Sequence, residues 1–355
     1  MSGDVVILHV AGLDKFIPPF IRLVEENFKK ESHRFWLGGV SEVHKIESKK
    51  NVYLCRGSHF KKIKAYIILV LQLHAARKVM LHGLFNIRLV LLLALCPWLL
   101  PKCYWVIWGG DLYQYKNATK TWRSRVNETL RHFVISRIGH LVTYIEGDVE
   151  LARQWYGAKG IHHECIMYPS NVFDPSMIAI NNEKKRNNGP LTILVGNSAD
   201  PSNNHIEALE RLLPFKDKNI LIFVPLSYGD QGHAKKIIAK GKAWFGEKLV
   251  PMTEFMRFEQ YLSFLQSIDV AVFNHRRQQA MGNTITLLGM GKTVFMRSDV
   301  SHWRFLVDLG IKLNDVEDLS LQALGDVEAQ KNASIVHSYF SKTTLVKQFL
   351  DIFEG

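Results

Sequence analysis

Four cysteines in 355 residues are too few for a disulfide framework, and Cys55, Cys96, Cys103 and Cys165 form no CxxC pair. A tetrahedral sulfur site therefore has no local signature, and reduced thiols are the expectation. Long apolar runs are also missing. The richest, LVLLLALCPWLL at 89–100, spans 12 residues and is broken by Pro97, against the roughly 18–20 that a helical membrane span needs. The N-terminus, MSGDVVILHVAG, has an acidic residue where a signal peptide has its positive region, and reads as a first buried strand. Short catalytic signatures are equally scarce: there is no HExxH, no GxSxG, no convincing DxD pair, no Walker sequence and no GxGxxG fingerprint. Zinc hydrolysis, serine-esterase chemistry, lysine-driven phosphoryl transfer and classical NAD binding all lose their usual markers. His162-His163 has no matched partner at ligand spacing and reads as an exposed loop pair.

What is present is an ordinary globular composition, 47% hydrophobic and 22% charged, which excludes disorder and fibrous coiled coil. The length suggests about two domains. Forty-five Lys and Arg against 33 Asp and Glu give a net charge of +12. An anionic partner follows: a phosphate group, a nucleic acid or an anionic bilayer. The basic residues read as dispersed through two α/β patterns, so no nucleic-acid partner is expected. The 89–100 run reads as a buried helix. Its alternative is a face resting on a membrane, with Trp98 at headgroup level and KKIK at 61–64, Arg77, Lys78, Arg88 and Lys102 close by.

Strand and helix alternate through the first half. Short apolar strands are expected at VVILHV (5–10), RFWLGG (34–39), KKNVYLC (49–55), VMLHG (79–83), CYWVIWGGD (103–111) and HLVTYI (140–145). All-apolar strands of this kind belong to a parallel sheet covered on both faces. NNEKKRNNGP at 181–190 is the best linker. A second α/β pattern follows, with strands at LTILVG, NILIFVPLSYG, KLVPM, DVAVFNH and TVFMR. The expected division is an N-terminal domain at 1–180, a second at 190–330, and a helical segment at 331–355 that returns to the first. Two α/β domains about a hinge imply a cleft, the usual home of a small-molecule site.

Ligands in open α/β sheets bind beyond the carboxyl ends of the strands. Three strand-end loops of the second half stand out. The first holds Gly196, Asn197, Ser198, Asp200, Asn203 and His205, between a buried strand and a helix, where backbone N–H groups suit a phosphate. The second holds Arg276, Gln278, Gln279, Gly282, Asn283 and Thr284, with arginine for a diphosphate and amides for a base or sugar. The third holds Pro225 and Tyr228, the tyrosine suited to stacking. In the first half Asp111, after Trp108-Gly109-Gly110, is one candidate base. Asp14 and His82 are others.

HG-x-FN at 82–86, WVIWGGDLY at 105–113, YPSNVFDPS at 168–176, ILVGNSADPSNNHIEAL at 193–209 and FNHRRQQAMGNT at 273–284 together resemble the TDP-N-acetylfucosamine:lipid II N-acetylfucosaminyltransferases of enterobacterial common antigen synthesis, or 4-alpha-L-fucosyltransferases. The resemblance implies two Rossmann-like domains facing a cleft, the glycosyltransferase B type. It implies a dTDP-linked 4-acetamido-4,6-dideoxyhexose held by the second domain and a polyprenyl-diphosphate-linked acceptor presented by the first. It further implies peripheral contact with the anionic cytoplasmic face of the bacterial inner membrane, a monomer or homodimer, and no cofactor or essential divalent metal. VIWGGDLYQ stands where HIWGADLYE is typical, and HRRQQAMGNT where ARQQGIGT is typical. A UDP- or GDP-sugar donor is the alternative.

Overall fold

The computed structural model describes residues 6–39, 46, 50–117, 121–177 and 189–355. The linker expected at 181–190 falls outside them up to residue 188. Contacts divide the chain into Met1–Ser170 with Thr343–Gly355, and Asn171–Lys342.

The first unit is built on seven parallel strands: β1 (Ile7–Gly12), β2 (His33–Gly38), β3 (Val52–Cys55), β4 (Lys78–His82), β5 (Cys103–Val106), β6 (His140–Val142) and β7 (Ile161–His163). Their spatial order is β3-β2-β1-β4-β5-β6-β7. His162-His163, expected as an exposed loop pair, instead lie in the edge strand Ile161–His163. β7 pairs with β6 in parallel, and the His163 and His140 rings meet at 2.8 Å. Its polar, half-exposed side chains gave the pattern of a loop, because an edge strand need not be apolar.

Helices His59–Ala75, Ile87–Leu95 and Trp122–Ile135 bury one apolar stripe each in a common core with Trp36 and Trp105. Truncating either tryptophan to alanine would cost about 3–5 kcal/mol. The 89–100 run is not a buried helix throughout: Leu93, Leu99 and Leu100 are buried, but Leu95 is 69% and Trp98 63% exposed. The C-terminal helix Lys342–Glu354 belongs to this unit by contact. The buried Lys78 donates to its last-turn carbonyls, Ile352 O at 2.7 Å and Phe353 O at 3.2 Å, a cation at the negative end of a helix.

The second unit has β8 (Leu191–Val195), β9 (Ile220–Pro225), β10 (Leu249–Met252), β11 (Val270–Phe273), β12 (Thr293–Met296) and β13 (Asn314–Asp315), ordered β10-β9-β8-β11-β12-β13 and all parallel. The expected boundaries at 180 and 330 differ from those of the contacts. Phe173 stacks on His337 at 4.9 Å, its N–H bonds Phe340 O, and helix Asp326–Tyr339 lies with this sheet. Apolar packing of Phe173 draws both segments into the second unit.

One feature of the first unit carries a pH dependence. His33, His9, His82 and Tyr168 form a buried row: His9 Nε2 lies 3.0 Å from His33 Nδ1, His9 Nδ1 lies 3.1 Å from His82 Nε2, and His82 Nδ1 lies 2.7 Å from Tyr168 Oη. Trp108 Nε1 donates to that hydroxyl at 3.0 Å. Indole only donates, so the Tyr168 hydroxyl accepts from Trp108 and donates its own hydrogen bond to His82 Nδ1. All three imidazoles then stay neutral with hydrogen on Nε2. Burial pushes His82 down to about 3, His33 to about 4 and His9 well below 6.5. Above pH 6.5 both folded and unfolded histidines are neutral. As pH falls below that value the unfolded chain takes up protons that the folded chain refuses. Stability is therefore lost from about pH 6.5 downward, by up to about 1.4 kcal/mol per unit per histidine. Denaturant midpoints at pH 7.5 and 5 would measure it, and equal midpoints would contradict it.

Candidate functional site

All three loops singled out in the second half gather at the carboxyl edge of β8, β9 and β11. The Val195-to-helix loop begins at Gly196, whose φ is +71°. A side chain there would be strained, and its Cβ would fall 2.6 Å from His205 Nε2 and 2.8 Å from Asn203 Oδ1. The glycine lets the chain reverse tightly against the start of helix His205–Leu212. Asn203, 1% exposed, is the hub: its Oδ1 accepts from Asn197 N at 2.9 Å and lies 2.8 Å from His275 Nε2.

The loop after β11 is sewn to the first by side chains. Gln279 Nε2 donates to Asn197 Oδ1 at 3.0 Å, and Ser202 Oγ lies 2.6 Å from Gln279 Oε1. Asn204 Nδ2 donates to Asn274 O at 3.0 Å. Arg277 approaches Asp200 at 3.8 Å. The loop after β9 joins through backbone: Ala199 N donates to Tyr228 O at 2.7 Å, and Asp230 N to Ala199 O at 3.2 Å. The rim they form is partly exposed at Asn197, Arg277, Gln278, Gln279, Gly282 and Asn283, with Tyr228 at 41%. Ala280, at φ +59°, opens helix Met281–Gly289, and no side chain caps its N-terminus. Such a terminus presents unsatisfied N–H groups to an anion.

Other expected residues lie elsewhere. His205 and Thr284 are fully buried. They stand under the rim rather than on it, with burial pressing His205 down to about 3. Pro225 and Ser198 are buried in the sheet end and the loop interior. Arg276 is exposed, but its guanidinium pairs with Glu207 at 2.8 Å. Glu207 also meets Arg211 at 3.4 Å and Arg297 at 3.6 Å. Arg277 and His275 lie in the expected loop after β11, but Tyr261, whose hydroxyl accepts from Asn283 Nδ2 at 2.8 Å, is an addition of the structure. No local signal pointed to Tyr261, since it comes from a helix 22 residues earlier.

In the first unit the three candidate bases separate. Asp111 has no exposed surface. Its Oδ2 accepts from Leu84 N and Trp105 Nε1, both at 2.7 Å, and its Oδ1 from Trp108 N at 2.8 Å and Leu112 N at 2.9 Å. Burial pushes its pKa up, while the neighbouring Arg131 and these donors oppose the rise. His82 has both ring nitrogens engaged in the histidine row. Asp14 is partly exposed in the loop after β1, with Oδ1 accepting from Phe16 N at 2.8 Å. Phe16 in turn lies against Trp108 and Tyr168 at 5.1 and 5.9 Å.

A family profile described as 4-alpha-L-fucosyltransferase, glycosyl transferase group 56, matches residues 21–340. The chain belongs to that family. This group 56 enzyme is a glycosyltransferase of the B-type fold. Its fold is shared with WaaG, a glycosyltransferase involved in lipopolysaccharide biosynthesis, at 13% identity and TM-score 0.65 over 99% of this chain and 100% of that one. It is shared with Anabaena HepE, solved with UDP and glucose, at 11% identity and TM-score 0.67 over 99% of both. It is shared also with the N-terminal domain of Candida albicans trehalose-6-phosphate phosphatase, at 11% and 0.67 over 99% and 96%. Among the described residues no group of three or more His, Cys, Asp or Glu is placed to hold a metal ion. Among them, too, no helix of the group 56 enzyme is long and apolar enough to cross a membrane.

Proposed function

We propose that this glycosyltransferase moves a 4-acetamido-4,6-dideoxyhexose from its dTDP-linked form to a polyprenyl-diphosphate-linked saccharide, working peripherally at the cytoplasmic face of the bacterial inner membrane. The second unit holds the donor and the first receives the acceptor. The observation that carries the reading is the joining of three strand-end loops, two through Asn203 and Gln279 and the third through the Ala199–Tyr228 backbone bond, beside an uncapped helix start.

The chemistry follows from these parts. As the bond between sugar C1 and the diphosphate oxygen breaks, charge develops on the leaving dTDP. N–H groups at the start of helix Met281–Gly289 and the guanidinium of Arg277 stabilise it. The acceptor hydroxyl oxygen bonds to C1, and its proton passes to the Asp14 carboxylate. Glu207 holds Arg276 beside this site as a positioning residue.

Calorimetry with dTDP, UDP and GDP tests the donor. Tight dTDP binding with little binding of the others is expected, and a preference for UDP or GDP would move the donor to the alternative class. Gly196→Ala, whose Cβ has no room, should weaken dTDP binding by about 5- to 150-fold, the effect of roughly 1–3 kcal/mol of backbone strain.

A further inference from the structure

The positive charge of the chain is not dispersed. Residues 48–110 contain ten lysines and arginines and not one aspartate or glutamate, against +12 for the whole chain. Everything outside that stretch is nearly neutral. The acid-free stretch also holds most of the large apolar side chains that the first unit leaves in solvent. On helix His59–Ala75 the exposed residues Phe60 (84%), Ile63 (50%), Ile67 (57%) and Leu71 (65%) recur at three- and four-residue steps. They form one stripe opposite the buried Ala65, Leu69 and Leu73.

The neighbouring helix extends this stripe. Leu91 and Leu95 are exposed four residues apart, and Trp98 follows them. The two elements are tied side by side. Asn86 Nδ2 donates to Tyr66 Oη at 3.1 Å, Trp98 Nε1 to His74 Nε2 at 3.2 Å, and Lys102 Nζ to Ala76 O at 2.7 Å. The apolar face is thus a fixed surface, with Lys61, Lys62 and Lys64 exposed at one end and Arg77 and Arg88 also exposed.

We infer that this face, made by helices His59–Ala75 and Ile87–Leu95 with Trp98, lies flat on an anionic lipid bilayer. The inference rests on the membrane placement proposed above and says which surface makes the contact. Helix His59–Ala75 is about 25 Å long at ~1.5 Å per residue and lies along the interface, with its lysines reaching back to the phosphates. Charge decides against a second copy of the chain: an isologous pairing would set two acid-free faces against each other. It decides for phosphatidylglycerol-like headgroups, where each basic side chain contributes about 1 kcal/mol near the surface. The stripe is aliphatic at Ile63, Ile67, Leu71, Leu91 and Leu95, and its two aromatics, Phe60 and Trp98, belong to different elements, so it lacks the successive aromatic platforms on which single-stranded nucleic acid stacks.

Flotation of the full chain with phosphatidylcholine vesicles, with and without phosphatidylglycerol, tests this. Binding only to the anionic vesicles is expected. Lys61→Gln/Lys62→Gln/Lys64→Gln should weaken it on the order of a hundredfold, and Ile67→Glu/Leu71→Glu should weaken it at least tenfold. Both variants should keep wild-type dTDP affinity, which shows that they fold. Wild-type indifference to anionic vesicles, or variants that float as well as wild type, would overturn the inference. So would a wild-type dimer in sedimentation that Ile67→Glu/Leu71→Glu dissociates. Failure of wild type to bind dTDP with vesicle binding intact would instead strike the donor reading and leave the face standing.

Discussion

Asp14→Asn is expected to lower kcat by about 10²–10⁴-fold, the usual worth of a positioned general base, with little change in stability or dTDP affinity. The expectation comes from elimination on geometry. Asp111 offers no exposed atom and has both oxygens filled by N–H donors. His82 holds its Tyr168 and His9 partners with both nitrogens. Asp14 stands just beyond the carboxyl end of the interior strand β1, partly exposed, within electrostatic reach of Tyr168. An amide keeps the acceptor oxygen that receives Phe16 N–H but cannot take the acceptor's proton. The measurement is kcat and KM with a defined polyprenyl-diphosphate saccharide across pH. A variant within threefold of wild type would remove Asp14 as base.

Asp111→Asn should act in the opposite way, through the fold. The carboxylate receives N–H groups from Leu84, Trp108 and Leu112 and the Trp105 indole. Close by, the 3%-exposed Arg131 donates to Leu84 O and Asp111 O. An amide must turn its NH₂ toward two of those donors, and it removes the carboxylate charge beside Arg131, leaving Glu128 at 3.8 Å as its charge partner. Breaking such a buried arrangement costs about 3–5 kcal/mol. Denaturant unfolding reads that loss, while kcat per folded molecule should fall less than tenfold. A normal unfolding midpoint with abolished turnover would return Asp111 to the chemistry.

The parallel sheets were legible because their strands are short apolar runs, such as VMLH and VAVF, that only a two-sided core can bury. The edge strand Ile161–His163 was not, since half-exposed histidines carry no period. At the candidate site the three loops could be named from their positions after strands. Which side chains face outward could not. His205 and Thr284 read as polar loop residues and turned inward, and Arg276 was drawn to Glu207.

By itself the sequence determined the class of protein: strand and helix in alternation, phosphate-suited loops at strand ends, and motifs spread over most of the chain, all set by local order along the backbone. Tertiary structure alone decided which carboxylate reaches solvent, that three histidines share one proton row, and that a charge excess and an apolar stripe occupy the same face. Burial and partner choice depend on what packs from distant parts of the chain, and no local pattern encodes them.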